Sequence, residues 1–142
     1  MEIPENWALS PEQPQISGIP VEVLGAPDGG PVPTDVGTLA LPLQPDVDAR
    51  AFYEAMRKGL RVVGIDPIDV GRRAVAGTEA FVMRASGKDA KGKWASTLVM
   101  FENSRVGWLI VFTTTPEQSD KLQPLFQRML DSFQIGRQNR IV

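Results

Sequence analysis

The chain has no cysteine and no histidine among its 142 residues, and a single tyrosine. Without cysteine there is no disulfide framework and no thiolate metal site, although the compartment stays open because many exported proteins lack cysteine too. Without either residue, nucleophile–base catalysis is reduced to Ser-Lys, Thr or paired-carboxylate arrangements. No G-x-S-x-G, S-x-x-K or P-loop lysine pattern occurs. No apolar run approaches the roughly 20 residues needed to cross a bilayer, and the longest, Val106 to Phe112, reads as a strand. The opening Met1-Glu2-Ile3-Pro4-Glu5 lacks the basic and apolar regions of a signal peptide. The localisation stays open: extracytoplasmic if Met1 stands at a trimmed mature start, otherwise cytoplasmic. Nor is there an excess of one charge: 15 Lys+Arg against 17 Asp+Glu give a net charge of -2, with no global field to draw the chain onto nucleic acid or anionic lipid.

What is present is an ordinary globular composition, 42% hydrophobic and 23% charged. A chain of this length is expected to form one domain, 1–142, burying roughly 70% of its unfolded surface. Residues 8–37 are dense in Pro and Gly, including Pro11, Pro14, Gly18, Pro20, Gly25, Pro27, Gly29, Gly30, Pro31 and Pro33. They admit only short extended pieces such as Val21–Leu24 and read as an edge strand between long loops. Prolines interleaved with glycine do not make the regular run of a polyproline ligand.

Beyond this segment the hydrophobic period carries the reading. Leu39, Leu41 and Leu43 alternate along a strand over 38–43. Asp46 or Asp48 then caps a helix to about Lys58, with Phe52, Met56 and Leu60 on one stripe and Gly59 as its stop. A strand over 65–74, a turn at Gly77 and a strand over 80–85 follow, and Gly87 to Lys93 forms a flexible basic hairpin tip. The segments 94–102 and 106–115 flank the turn Asn103-Ser104-Arg105, and Trp94 and Trp108 are candidate cross-strand neighbours in the core. On the first of these strands Trp94, Leu98 and Met100 share one face while Ala95, Val99 and Phe101 share the other. Both faces need covering, either by the two helices on opposite sides or by one helix and a bound partner. Thr115-Pro116-Glu117-Gln118 has the form of a capping box. Pro124 argues for a separate first turn before a main helix over 120–133, whose Leu122, Leu125, Phe126, Met129, Leu130 and Phe133 form a core-facing stripe. Gly136 ends that helix and 137–142 form a tail.

Three short patterns resemble the PsbP-like superfamily, in particular its bacterial DcrB-like branch. They are the opening Ile3-Pro4-Glu5-Asn6-Trp7, the turn Val75-Ala76-Gly77-Thr78-Glu79-Ala80, and the closing Leu130-Asp131-Ser132-Phe133 after a Thr-rich strand. The resemblance implies an α+β fold, an antiparallel β-sheet flanked by helices in an α/β/α sandwich, used for binding. Members of the superfamily include extrinsic photosystem subunits, a Ran binder, bacterial lipoproteins and adaptor chaperones for type VI secretion effectors. No catalytic residue set transfers to this chain.

The site candidates follow from the same residues. Asp46 with Asp48, and Asp66 with Asp69, have the spacing of turn and cap carboxylates rather than of a cation site, so no metal and no cofactor is expected. Lys88, Lys91 and Lys93, with Arg72, Arg73 and Arg84 on nearby strands, form either a solvated tip or a docking patch for an acidic partner. Tyr53, beside the Phe52 stripe, is a candidate for a groove edge. The expected function is a non-enzymatic, protein-binding or assembly-accessory domain acting as a monomer or homodimer, with Trp94, Tyr53, Lys88, Lys91 and Lys93 as its binding residues. Two alternatives stand beside it: an adaptor chaperone that cradles apolar helices of type VI effectors on its sheet, and a cryptic carboxylate-dependent hydrolase.

Overall fold

The computed structural model describes residues 1–9, 15–16, 19–27, 32–135 and 140–141. In chain order the elements are β1 (Glu2–Ile3), β2 (Ala8–Leu9), β3 (Gln15–Ile16), β4 (Ile19–Pro20), β5 (Glu22–Gly25), β6 (Asp35–Pro42), α1 (Ala49–Val62), β7 (Ile68–Val75), β8 (Thr78–Asp89), β9 (Gly92–Asn103), β10 (Val106–Thr114), α2 (Pro116–Asp131) and β11 (Arg140–Ile141). Seven strands form one antiparallel sheet in the order β2-β5-β6-β10-β9-β8-β7. β3 pairs with β4, and β1 runs parallel to β11. The Val21–Leu24 segment, as β5, lies one strand in, because the two-residue β2 pairs outside it. Pro11, Pro14, Gly18, Gly29, Gly30, Pro31, Gly136 and most of the expected tail lie outside the described residues.

The meander β7-β8-β9-β10 is closed by two-residue turns. Ala76 and Gly77 join β7 to β8 with φ of 50° and 74°, and Ser104 and Arg105 join β9 to β10 with 51° and 64°. Consecutive left-handed residues give the type I′ geometry whose twist matches the flanking strands. At the third hairpin Asp89 pairs with Gly92, and the Asp89 carboxylate accepts the backbone N–H groups of Lys91 and Gly92 at 2.8 and 3.2 Å. The expected seven-residue flexible tip is thus an ordered ladder ending in a two-residue turn.

α1 begins at Asp48, whose carboxylate accepts the Ala51 N–H at 2.8 Å. It runs through Gly59 to Val62. Its stop is Gly64, at φ 85°. There the N–H groups of Gly64 and Ile65 donate to the carbonyls of Arg61 and Leu60, a Schellman closure with Leu60 and Ile65 on the same core cluster. Ile65 thereby belongs to the helix exit, and β7 starts at Ile68. α2 is continuous from Pro116 with Thr115 as its cap, so no separate first turn forms. Pro124 sits on its exposed side, where the Asp120 carbonyl left without a donor can be solvated.

The two faces of the sheet carry separate cores. Val99, Phe101, Ile110 and Phe112 face Phe126, Met129 and Leu130 of α2 and Phe133, which lies just past its cap because the helix ends at Asp131 and not at 133, joined by Met1, Ile3 and Trp7. Leu98, Met100, Leu109 and Met83 face Phe52 and Tyr53 of α1. The alternation along 94–101 is therefore realised, with each helix on its own side. Phe126 stacks on Phe112 at 4.2 Å, and Phe133 meets Phe101 and Trp108 edge-on. A polar clasp ties α2 to the sheet rim: Arg73 donates to Gln127 and Asp131, and Gln123 donates to Thr97 at 3.2 Å. No helix among the described residues is long and apolar enough to cross a membrane.

Candidate functional site

α1 packs against β8 and β9, which leaves the same face of β6 and β10, and the far end of β9, partly open. Trp94 sits at that end. It is directly opposite Gly87 on β8, and its indole lies flat on the glycine. A Cβ at Gly87 would stand 2.6 Å from Trp94 Cζ2, closer than any ordinary carbon contact. Glycine is thus the residue that lets the ring lie down on the sheet. Trp94, Ser96, Thr113, Asp89, Lys91, Val32 and Pro33 line a cleft of about 340 Å³.

The cleft floor is a hydroxyl pair, Ser96 Oγ and Thr113 Oγ1, 2.9 Å apart. Thr113 is also opposite Asp35 of β6, and from this row the face continues into an apolar recess of about 200 Å³ lined by Val21, Asp35, Gly37, Leu39, Leu109 and Val111. A half-buried indole, a lysine at the rim and a run of aliphatic floor make a surface suited to an apolar segment of another molecule. The one carboxylate at the cleft rim, Asp89, already holds its own turn. Among the described residues no group of three or more acidic side chains is assembled that could hold a metal ion. A larger hollow of about 690 Å³ between the β7–β8 turn and the end of α2 is walled by Ala76, Gly77, Phe133 and Asp131, the last already engaged by Arg73.

The sequence candidates separate into two groups. Trp94, Lys88, Lys91 and Lys93 share the β8–β9 tip, with Lys88 directly opposite Lys93 and all three lysines exposed. Like charges set opposite each other in a ladder are unfavourable, so the tip holds an unspent cationic pair. Tyr53 is elsewhere: it is 3% exposed and packs on Phe81 at 5.3 Å, in the core and not at a rim. Burial is the main cause that raises its pKa, with Arg57 and Asp69 acting in opposite directions. Both groups lie near the hydroxyl, yet it makes no hydrogen bond of good geometry. Trp108 is opposite Phe101 and faces α2, so the two tryptophans are on opposite faces and are not neighbours. Residues that sequence reasoning passed over, Ser96, Thr113, Val111 and Leu109, are strand positions that only the register sets in a row leading away from Trp94, with Thr113 opposite Ser96, Val111 opposite Leu98 and Leu109 opposite Met100.

No family model matches the chain, and no curated protein matches it in sequence. Several solved structures share its fold. The protein of unknown function PA94 from Pseudomonas aeruginosa, provisionally described as a regulator, superposes with a TM-score of 0.63 at 15% identity over 94% of this chain and 99% of its own. The cyanobacterial PsbP protein CyanoP from Synechocystis sp. PCC 6803 gives a TM-score of 0.61 at 12% identity over 88% and 79%. The chain has a PsbP-like fold, an antiparallel seven-stranded sheet with two helices.

Proposed function

We propose that this chain is a non-catalytic binding domain of the DcrB-like branch of the PsbP-like α/β/α sandwiches, capturing a partner protein at the Trp94 cleft. The observation that carries the reading is the half-buried Trp94 indole seated on Gly87 at the head of an aliphatic sheet face, with Lys91 beside it. Absence of histidine and cysteine from the sequence leaves few routes to turnover and supports the same reading.

The test is capture of the native partner, identified by co-purification at native expression level, by wild type, Trp94→Ala and Lys91→Glu after each variant is shown to melt as a folded domain. Loss of capture with Trp94→Ala supports the cleft, and undiminished capture rejects it. A catalytic turnover abolished by one carboxylate substitution, such as Asp35→Asn, rejects the non-enzymatic reading altogether.

A second reading is favoured by the recess of Val21, Gly37, Leu39, Leu109 and Val111. An adaptor chaperone for secretion effectors needs a sheet face onto which an apolar helix can be laid, and this recess extends the Trp94 cleft in that way. A synthetic apolar helix that binds wild type and is lost on Val111→Asp distinguishes it from recognition at the tip alone.

A further inference from the structure

The β8–β9 hairpin has two faces, and the Trp94 cleft uses one of them. Met83 and Ala85 of β8, and Trp94 and Leu98 of β9, turn to the α1 side, so the residues that alternate with them turn to the α2 side. There the register sets Arg84 opposite Thr97, Ser86 opposite Ala95 and Lys88 opposite Lys93, with Ile68 of β7 on the other flank of Arg84. α2 packs on β9 and β10 and leaves this strip of β8 bare. Arg84, Ser86, Lys88, Lys93 and Ile68 are all exposed.

Arg84, Lys88 and Lys93 make no ion pair among the described residues. The acids of the neighbouring elements are engaged or face away. Asp69 is opposite Met83, on the α1 side, and its carboxylate accepts the Gly71 N–H at 3.0 Å. Asp89 holds its turn, Glu79 pairs with Arg72, and Asp131 is engaged by Arg73. The flank of α2 that bears Gln127 and Asp131 also carries Asp120, which pairs with none of the three cations. Lys88 and Lys93 therefore face each other across the ladder uncompensated, an arrangement that is unfavourable until an anion joins it.

The spacing describes that anion. Arg84 and Lys88 are four residues apart on one face of β8, about 13 Å at strand rise, and an extended peptide repeats the side chains of one face at the same interval. Lys93 stands across from Lys88 at about 5 Å, so two ammonium groups converge on one carboxylate. Ser86 and Ala95, between the cations, are small enough to leave a bed for a backbone. Nucleic acid is disfavoured, because this strip has no aromatic ring to stack a base and three cations neutralise few phosphates. A lipid surface finds no apolar anchor here beyond Ile68. We propose that the strip of Arg84, Lys88 and Lys93 is a second docking surface, separate from the Trp94 cleft, for an extended acidic segment of a partner protein with carboxylates four residues apart.

The probe is a blocked five-residue peptide with glutamate at its first and fifth positions and serine between, titrated at low salt into the isotope-labelled full chain and followed by NMR. Amide shifts along Arg84, Ser86, Lys88, Lys93 and Ala95 are expected, fading as salt rises and absent with the glutamine counterpart of the peptide. Lys88→Gln with Lys93→Gln should weaken binding about fivefold, and Asp120→Asn should tighten it about twofold. Lys93→Glu should weaken binding and raise the melting temperature together, because it turns a like-charge pair with Lys88 into an opposite-charge one. Lys58→Gln, which removes an exposed cation from α1 on the other face, should leave the affinity within about twofold of wild type. All these side chains are exposed, so each variant should stay folded. Three outcomes overturn the proposal: equal binding of the glutamine peptide, a loss in Lys58→Gln as large as in the double lysine variant, or an oligonucleotide or anionic vesicle that occupies this strip more tightly than the acidic peptide.

Discussion

Gly87→Ala is a sharp perturbation of the Trp94 cleft because one methyl group meets one ring. The added Cβ would lie 2.6 Å from Trp94 Cζ2 and 2.9 Å from Cε2, against the roughly 3.5–4.0 Å of an ordinary carbon contact. The indole must therefore rise by about 1 Å or swing away. Overpacking of this kind costs about 1–3 kcal/mol, while replacing a strand glycine by alanine returns about 0.5–1 kcal/mol of backbone entropy. The net expectation is a loss of about 0–2.5 kcal/mol, and the cleft loses its wall. Urea unfolding followed by circular dichroism measures this in wild type and in a Trp94→Ala background. With the ring gone the clash is gone, so Gly87→Ala should there be neutral or stabilising, and the cycle should show a coupling of at least about 1 kcal/mol. Equal effects in both backgrounds would show that the indole does not rest on Gly87, and the cleft would have to be redrawn.

Phe126→Ala and Phe133→Ala, each removing a buried ring of the α2 stripe, should each destabilise by about 3–5 kcal/mol; denaturant midpoints equal to wild type would place the stripe in solvent. Arg105→Gly relieves a non-glycine residue at φ 64°, where L-residues lose about 1–2 kcal/mol, and should raise the melting temperature; a lower one would show that Arg105 contributes more through its side chain than it costs in backbone. Tyr53, with a pKa raised from 10.0, holds its proton longer folded than unfolded. Its contribution is fully present below the unfolded pKa and is lost as pH rises through the folded value. Absorbance at the phenolate band, clean because the chain has one tyrosine, should therefore show ionisation later in the folded than in the unfolded protein, and Tyr53→Phe should remove that part of the alkaline destabilisation at little cost, since the hydroxyl lacks a well-formed hydrogen bond. Early ionisation, or a large loss of stability in Tyr53→Phe, would contradict the burial.

Where the hydrophobic period was unbroken, the sequence sufficed. The alternation over 94–101 shows that both faces of that strand are apolar and the stripe from Leu122 to Phe133 marks the second helix, while the covering of each face and the helix bounds appear only in the structure. Errors arose where one residue had two physical roles. Gly59 reads as a helix stop, yet a stop requires a left-handed residue followed by an apolar one that folds back, and Gly64-Ile65 meets that condition against Leu60. A rim position for Tyr53 follows only if the i, i+4 stripe of Phe52 is traced alone, whereas a core-facing stripe is wide enough to take both residues. The two tryptophans pair only while no register is imposed. Once Ser104 and Arg105 form the whole turn, Trp108 must meet Phe101, and Trp94 is left to face Gly87 across the other hairpin. The net charge of -2 averages a cation-free first third with a remainder that holds all the cations.

The location of the open surface follows from element lengths. β8 and β9 are 12 residues each, about 40 Å at strand rise. The 14 residues of α1 span about 21 Å and the 16 of α2 about 24 Å at helical rise. Neither helix can cover a strand nearly twice its length, so part of the long hairpin must project beyond each. α1 packs on the Met100 and Leu98 side of its face, and the uncovered remainder is the end that bears Trp94, Lys88, Lys91 and Lys93. A sheet apolar on both faces would expose a sticky end there. The sequence answers with a glycine that lets one indole lie flat, hydroxyls at Ser96 and Thr113, and a collar of lysines. The proposal of recognition at this end therefore rests on the mismatch between strand and helix length as well as on the chemistry of the side chains that line it.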